Sequence, residues 1–291
     1  MLGRRGALSL LEVIMVISII AILSALILPA IQVVRASARK TACANNCKQM
    51  LLAIHNFESA FKQLPIGTHL ASSKTPYRSW FSQLLPFVEQ NQASNDTELA
   101  YVKSSNPFSP IHNHLKTHMP VFMCVEDARL YDTTVSSHFG YVVGLASYQG
   151  SSGTNFLLKD GAFIAGTPIK FKDIIDGISS TLAFGERPPS TGFDYGWWYA
   201  GAGSGDGTLD HILGTRETAA NIFATCSNDY RRFRPGKIDD ECSAVHYWSL
   251  HTGGAQFGFL DGSVRFLPYN ADEILLQLAT RNGNEIVAIP D

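Results

Sequence analysis

From Val13 to Val34 the chain carries no formal charge; the run is rich in Ile, Leu, Val and Ala and holds one proline, Pro29. At about 1.5 Å per residue, a helix over this stretch spans roughly 33 Å, enough for a hydrocarbon core of about 30 Å. Such a run is rare in soluble cores and predicts a membrane-spanning helix. Arg4-Arg5-Gly6-Ala7 leads into it, and Glu12 stands at its mouth. A cleaved secretory signal is the rival, with Ala36-Ser37-Ala38 as its small-x-small site. Signal cores need only about 7–15 apolar residues and gain nothing from an acid at the front edge. An ionisable group at the edge of a span is costly and marks function.

The apolar pattern continues beyond the membrane run. Cys43, Cys47, Met50, Ile54, Phe57 and Phe61 recur every three or four residues, one stripe of a helix. Pro65 and Gly67 stop it, so a single helix over 8–62 is predicted, with the membrane part at about 13–34. Residues 63–291 form the remaining body. SWFSQLLPFVEQ reads as helical, and YVVG, GAFI, IKFKDI, TLAFGE and YGWWYAG as short strands. QFGFLDGSVRFL predicts a hairpin with a primed turn at Asp261-Gly262, and ADEILLQLATRNG a closing helix ending at Gly283. The fold class is therefore α+β.

Charge argues against nucleic acid as a partner, since the formal net charge is −2. Charged residues make up 16%, below the usual quarter, and with many Gly, Ser, Thr and Asn this suits a loop-rich body outside the cytoplasm. Orientation is ambiguous from charge: Arg4 and Arg5 precede the span, and Arg35, Arg39 and Lys40 follow it. None of the five cysteines forms a CxxC pair, which argues against a zinc ribbon or a thioredoxin motif. Cys226 and Cys242 bracket a short loop, and a disulfide there would stabilise by about 3 kcal/mol in the chain-entropy model. Cys124 is expected to pair with Cys43 or Cys47 and tie the helix to the body.

No catalytic residue is expected. His251 and Asp261 lack an accompanying nucleophile; Asp261 suits a turn, and His251 could hydrogen-bond across the hairpin base. His112, His114 and His118 offer an i, i+4 metal pair if helical, but Pro110 and Pro120 favour a polar loop. Gly201, Gly203, Gly205 and Gly207 match no nucleotide fingerprint. Trp197, Trp198, Tyr199 and Trp248 are expected to pack in the core, with stacking on a sugar as the alternative. No metal site is expected and no cofactor is assigned; the run Asp239-Asp240-Glu241 offers oxygen ligands to calcium without EF-hand spacing.

RRGALSLLEVIMVISIIAILSALILPAI resembles the N-terminus of a type IV prepilin or pseudopilin. The resemblance implies a leader at 1–7, processing at Gly6, Ala7 and Leu8, and an N-terminus in the cytoplasm. A cut after Ala7 makes Glu12 the fifth mature residue and Pro29 the twenty-second; a cut after Gly6 shifts both by one. Ala7 and Leu8 depart from the Gly and Phe or Met usual at that junction. The resemblance also implies calcium in the general region of the acidic run.

A second resemblance rests on HTGGAQFGFLDG, with His251 nine residues before Asp261-Gly262, and on FKDIIDGISSTLAFGE, FRPGKIDDEC and LATRNGNEIV. Together these are similar to the large bacterial family of unknown function numbered 1559, with its His-nine-Asp-Gly domain, here at 251–267.

Both resemblances imply a pilin-like fold, with a long membrane helix packed on an antiparallel sheet with loop-rich additions. They imply a structural subunit of a type IV pilus or type II secretion type filament, anchored in the bacterial inner membrane with an exported body. Its partners would be the prepilin peptidase, other pilin-like subunits and the membrane, with Glu12 and Pro29 serving assembly. The alternative is a membrane-tethered extracytoplasmic solute- or glycan-binding protein.

Overall fold

The computed structural model describes residues 10–201, 207–218 and 226–283. The chain divides into two compact units, Met1–Thr41 and Ala42–Asp291. The division falls inside the first helix, α1 (Leu10–Phe61), because that helix enters the core of the second unit from Cys43 onward.

In the first unit, the apolar side chains of α1 are solvent-exposed, from Leu10 at 77% to Val34 at 67%. Glu12 lies in the first turn and Pro29 inside the helix. The Ser18 hydroxyl donates to the Ile14 carbonyl at 2.7 Å, so its polar group is satisfied within the helix. This is one stretch long and apolar enough to cross a membrane, with a mean hydropathy of 2.8.

In the second unit, α1 buries Cys43, Cys47, Met50, Leu51, Ala53, Ile54 and Phe57. The expected stripe ends one turn early: Phe61 is 57% exposed and rests on Phe57, ring centroids 4.5 Å apart. Lys62, in the left-handed region, closes the helix by donating from its N–H to Glu58 O. Two further helices follow, α2 (Trp80–Gln83) and α3 (Asn91–Lys103), and the expected closing helix is α4 (Asp272–Ala279). It ends at Ala279, short of Gly283, with Thr280 in an extended conformation.

Five strands form one sheet: β1 (Tyr148–Gly153), β2 (Leu182–Glu186), β3 (Ile212–Gly214), β4 (Gly254–Phe259) and β5 (Val264–Pro268), in the order β3-β1-β2-β4-β5. The sheet is mixed rather than antiparallel throughout: β1 and β3 run parallel, with the antiparallel strand β2 between them in the chain. The remaining neighbours are antiparallel.

The register of β2 on β4 explains their glycines. Phe184 faces Gly258 and Gly185 faces Phe257 across the pair. A Cβ on Gly185 would sit 2.4 Å from the Phe257 ring, so each glycine leaves room for the ring opposite. The β4–β5 connection is not a primed turn. Only Gly262 has a positive φ, +84°, and its N–H reaches Phe259 O at 3.0 Å, the pattern of a three-residue loop with glycine in the left-handed position.

YVVG, GAFI, IKFKDI and YGWWYAG form no strands of their own; IKFKDI instead makes the 3₁₀ turn Phe171–Asp173. Their backbone groups bond across loops, as Gly144 N–H does to Leu115 O at 2.6 Å. Trp197, Trp198, Tyr199 and Trp248 are buried, and each of the three indoles donates to a backbone carbonyl: Phe193, Thr117 and Ser243.

Candidate functional site

Four side chains from distant segments meet inside the second unit. Cys43 comes from α1, Cys124 follows the 3₁₀ turn Pro120–Phe122, Glu186 ends β2, and His251 lies in the loop before β4. Cys43 and Cys124 form a disulfide with a Cα–Cα distance of 5.2 Å. His251 Nε2 lies 3.4 Å from Cys124 Sγ and 3.4 Å from Glu186 Oε1. One ligand atom from each of the four falls within 4.8 Å of all the others, and all four residues are buried.

Backbone bonds hold each segment in place. The Asn46 amide, next to Cys43 on α1, donates to Pro120 O at 3.1 Å and Met123 O at 2.8 Å, clamping the turn that presents Cys124. The Cys124 N–H donates to Ser147 Oγ, and the Arg187 N–H donates to Ser147 O, so one residue positions both the cysteine and the end of β2. Glu186 Oε2 accepts from the Gln256 N–H at 2.7 Å. Its Oε1 accepts no hydrogen bond of normal length and has His251 as its ion-pair partner. The His251 N–H donates to Ser249 Oγ at 3.0 Å, and that hydroxyl donates to Gly254 O.

Cys47 lies one turn from Cys43 and is a free, buried thiol. Burial, and then the Glu186 carboxylate, push its pKa well above the ordinary thiol value, so it stays protonated and is a poor nucleophile. The Tyr148 hydroxyl is pushed up by burial in the same way and donates to Cys43 O at 3.3 Å. A cavity of about 10 Å³, on the scale of one water, borders Cys124 and Glu186. Two sulfurs, an imidazole and a carboxylate, all buried, make a donor set suited to thiol–disulfide chemistry or to a borderline-soft cation.

The residues singled out in the sequence take separate places. His251 enters this centre instead of bonding across the hairpin base, whereas Asp261 is exposed in the turn, its Oδ1 accepting from the Ser263 N–H at 2.8 Å. The sequence pattern places Glu186 at the end of a strand and carries no spacing that joins it to the other three. Its one available signal was an acid at the tip of a strand buried on both faces. Cys226 and Cys242 are bonded, with a Cα–Cα distance of 5.7 Å. Gly6, Ala7 and Leu8 lie outside the described residues, as do Gly203 and Gly205.

The three histidines do not converge on a helix; the segment makes the 3₁₀ turn Asn113–Lys116. His112 is buried and spends both ring nitrogens, on Tyr199 Oη at 2.7 Å and Ser104 O at 2.9 Å. His114 faces Asp96 at 3.2 Å. In the acidic run, Asp240 caps the turn Glu241–Val245 by accepting from the Cys242 N–H. A larger cavity of about 320 Å³ is lined by His138, Phe139, Asp194 and Tyr195. The Asp194 carboxylate is taken up there by Ser136 Oγ, Ser137 Oγ and the His138 N–H.

A family model described as "Protein of unknown function (DUF1559)" matches residues 32–273. Cys43, Cys124, Glu186 and His251 all fall inside the match, and the residues before 32 fall outside it. No curated protein matches, and no solved structure matches.

Proposed function

The chain belongs to the DUF1559 family, whose match covers most of its length, and from that footing we propose that it is a membrane-anchored structural subunit that assembles into a pilus-like or pseudopilus-like filament. The observation that carries the reading is the first part of α1: a long exposed apolar surface with Glu12 in its first turn and Pro29 inside. In a lone anchor an acid in the first turn complements the helix N-terminus, and assembly would give it a further role. Between packed helices, the Glu12 carboxylate would lie in low dielectric, where an unpaired charge is expensive. The new amino group of Leu8, made by a prepilin peptidase on a neighbouring subunit, would neutralise it. The N-terminus then faces the cytoplasm and the second unit lies outside, held in the inner membrane before assembly. The role is structural rather than enzymatic, with other pilin-like subunits as partners.

The tethered solute- or glycan-binding reading rests on accessible aromatic rings, and Trp197, Trp198, Tyr199 and Trp248 are all buried. The test is Glu12→Ala in the native host, with membrane and sheared-filament fractions compared and the mature N-terminal residue determined. The expected outcome is a mature chain beginning at Leu8, with the variant in the membrane but missing from filaments. Equal incorporation of the variant sinks the charge-pairing argument. An N-terminus at Arg39 replaces the whole reading with an ordinary secretory signal.

A further inference from the structure

We propose that Cys43, Cys124, Glu186 and His251 form a binding site for one zinc ion when the Cys43–Cys124 disulfide is reduced, so that disulfide and metal are alternative cross-links between the same two segments. The site stands apart from the assembly reading and does not depend on it.

Geometry carries the proposal. With zinc bonds of about 2.3 Å to sulfur and about 2.0 Å to nitrogen or oxygen, a tetrahedral site has N···O and S···N edges of roughly 3.3–3.6 Å. The observed His251 Nε2–Glu186 Oε1 and His251 Nε2–Cys124 Sγ separations are both 3.4 Å. A nucleophile–base–acid relay would use the two ring nitrogens on opposite sides; here one nitrogen, Nε2, faces both sulfur and carboxylate. Convergence on a shared centre is what a cation requires. The Glu186 side chain is 1% exposed, and its Oε1 receives no hydrogen bond; it meets His251 Nε2 at 3.4 Å as an ion-pair contact, which leaves it acceptor capacity for a cation. The other oxygen is held by the Gln256 N–H, the outer support that fixes a ligating carboxylate. Two thiolates, an imidazole and a carboxylate suit zinc in charge and softness.

Only the sulfurs must move. They are bonded to each other here, and as zinc ligands they would stand about 3.8 Å apart. The Asn46 clamp on Pro120 O and Met123 O holds the two segments together while the side chains rotate. The chemistry balances with a dithiol reductant. It gives two electrons and two protons to the Cys43–Cys124 bond and becomes a disulfide itself; the S–S bond breaks to two thiols. Zinc then displaces the two thiol protons to solvent. Cys47, one turn away with its thiol held protonated, lies outside the donor set.

The test uses the full chain in detergent, reduced with a phosphine and titrated with cobalt(II) and then zinc(II). One cobalt per chain is expected, with the visible bands of a tetrahedral ion and a thiolate charge-transfer band, both erased by one equivalent of zinc. The oxidised chain should take none. Glu186→Gln and His251→Gln should each weaken binding by more than the roughly 10–100-fold that loss of an outer-shell support costs. Cys47→Ser should leave stoichiometry and spectrum intact. In the unaltered chain, zinc should slow alkylation of Cys43 and Cys124, a readout free of folding effects in variants. If reduction unfolds the chain, one equivalent of zinc should restore its far-ultraviolet circular dichroism. The proposal is overturned if the reduced chain binds no cobalt, if reduced and oxidised chains bind equally, if both ligand variants bind as the parent does, or if zinc fails to restore a reduced chain that has unfolded.

Discussion

Removing the two disulfides separately should cost different amounts, and the difference follows from the length of chain each one closes. Cys43–Cys124 links positions 81 apart in sequence, and Cys226–Cys242 positions 16 apart. The chain-entropy relation gives about 4.5 kcal/mol for the first and about 3 kcal/mol for the second. Native docking should survive in the double variant Cys43→Ala/Cys124→Ala, because Asn46 still bonds Pro120 O and Met123 O. The loss therefore acts mainly through the unfolded chain, which regains the freedom that the bond removed. The assay is urea unfolding of the detergent-solubilised chain, followed by tryptophan fluorescence. Trp80, Trp197 and Trp198 sit fully buried in the large core and report its opening. Cys43→Ala/Cys124→Ala should lower the extrapolated unfolding free energy clearly more than Cys226→Ala/Cys242→Ala, by about 1.5 kcal/mol. Equal losses, or the reverse order, would refute the loop-length reasoning and place the stabilisation in native contacts.

Two further perturbations test the packing. Burial, helped by Arg234 and Arg187, holds the His246 pKa down at about 4 against an ordinary 6.5. The unfolded chain therefore binds the extra proton between those values, and stability falls as pH drops from about 6.5 toward 4, by about 2 kcal/mol at pH 5. His246→Gln should flatten that acid-side slope in thermal melts; a slope as steep as the parent's rules the explanation out. The glycines of the sheet and of its turn should separate by mechanism. Gly185→Ala drives a Cβ into the Phe257 ring and should cost about 3 kcal/mol. Gly262→Ala has open space, with His55 at 3.5 Å as its nearest neighbour, and should lose only about 1 kcal/mol of left-handed strain. Equal losses in chemical denaturation would contradict that separation.

How far the sequence exposes this molecule depends on whether each feature is local. The helix α1 was legible because its apolar spacing is a property of consecutive residues, and β2, β4 and β5 were legible from their apolar, aromatic character and the Asp261-Gly262 turn. The strands β1 and β3 were not. YQGSSG carries small and polar residues because β1 lies inside the sheet, where a Cβ on Gly150 would press on Phe163 and Trp80. Tertiary packing selected those residues against strand propensity. The four-residue centre is the extreme case. Its members stand 62 or more positions apart; a cysteine count can suggest the Cys43–Cys124 linkage, but no spacing rule joins Glu186 to His251. What connects them is that α1, the turn before Cys124, the end of β2 and the loop before β4 are each fixed by backbone bonds to a neighbour. The fold thus brings α1 and the Cys124 segment together without the cross-link and leaves the chemistry of that cross-link open. Two sulfurs alone would settle on a disulfide; the buried acid and imidazole beside them, which a structural disulfide does not need, are what make the second kind of cross-link available.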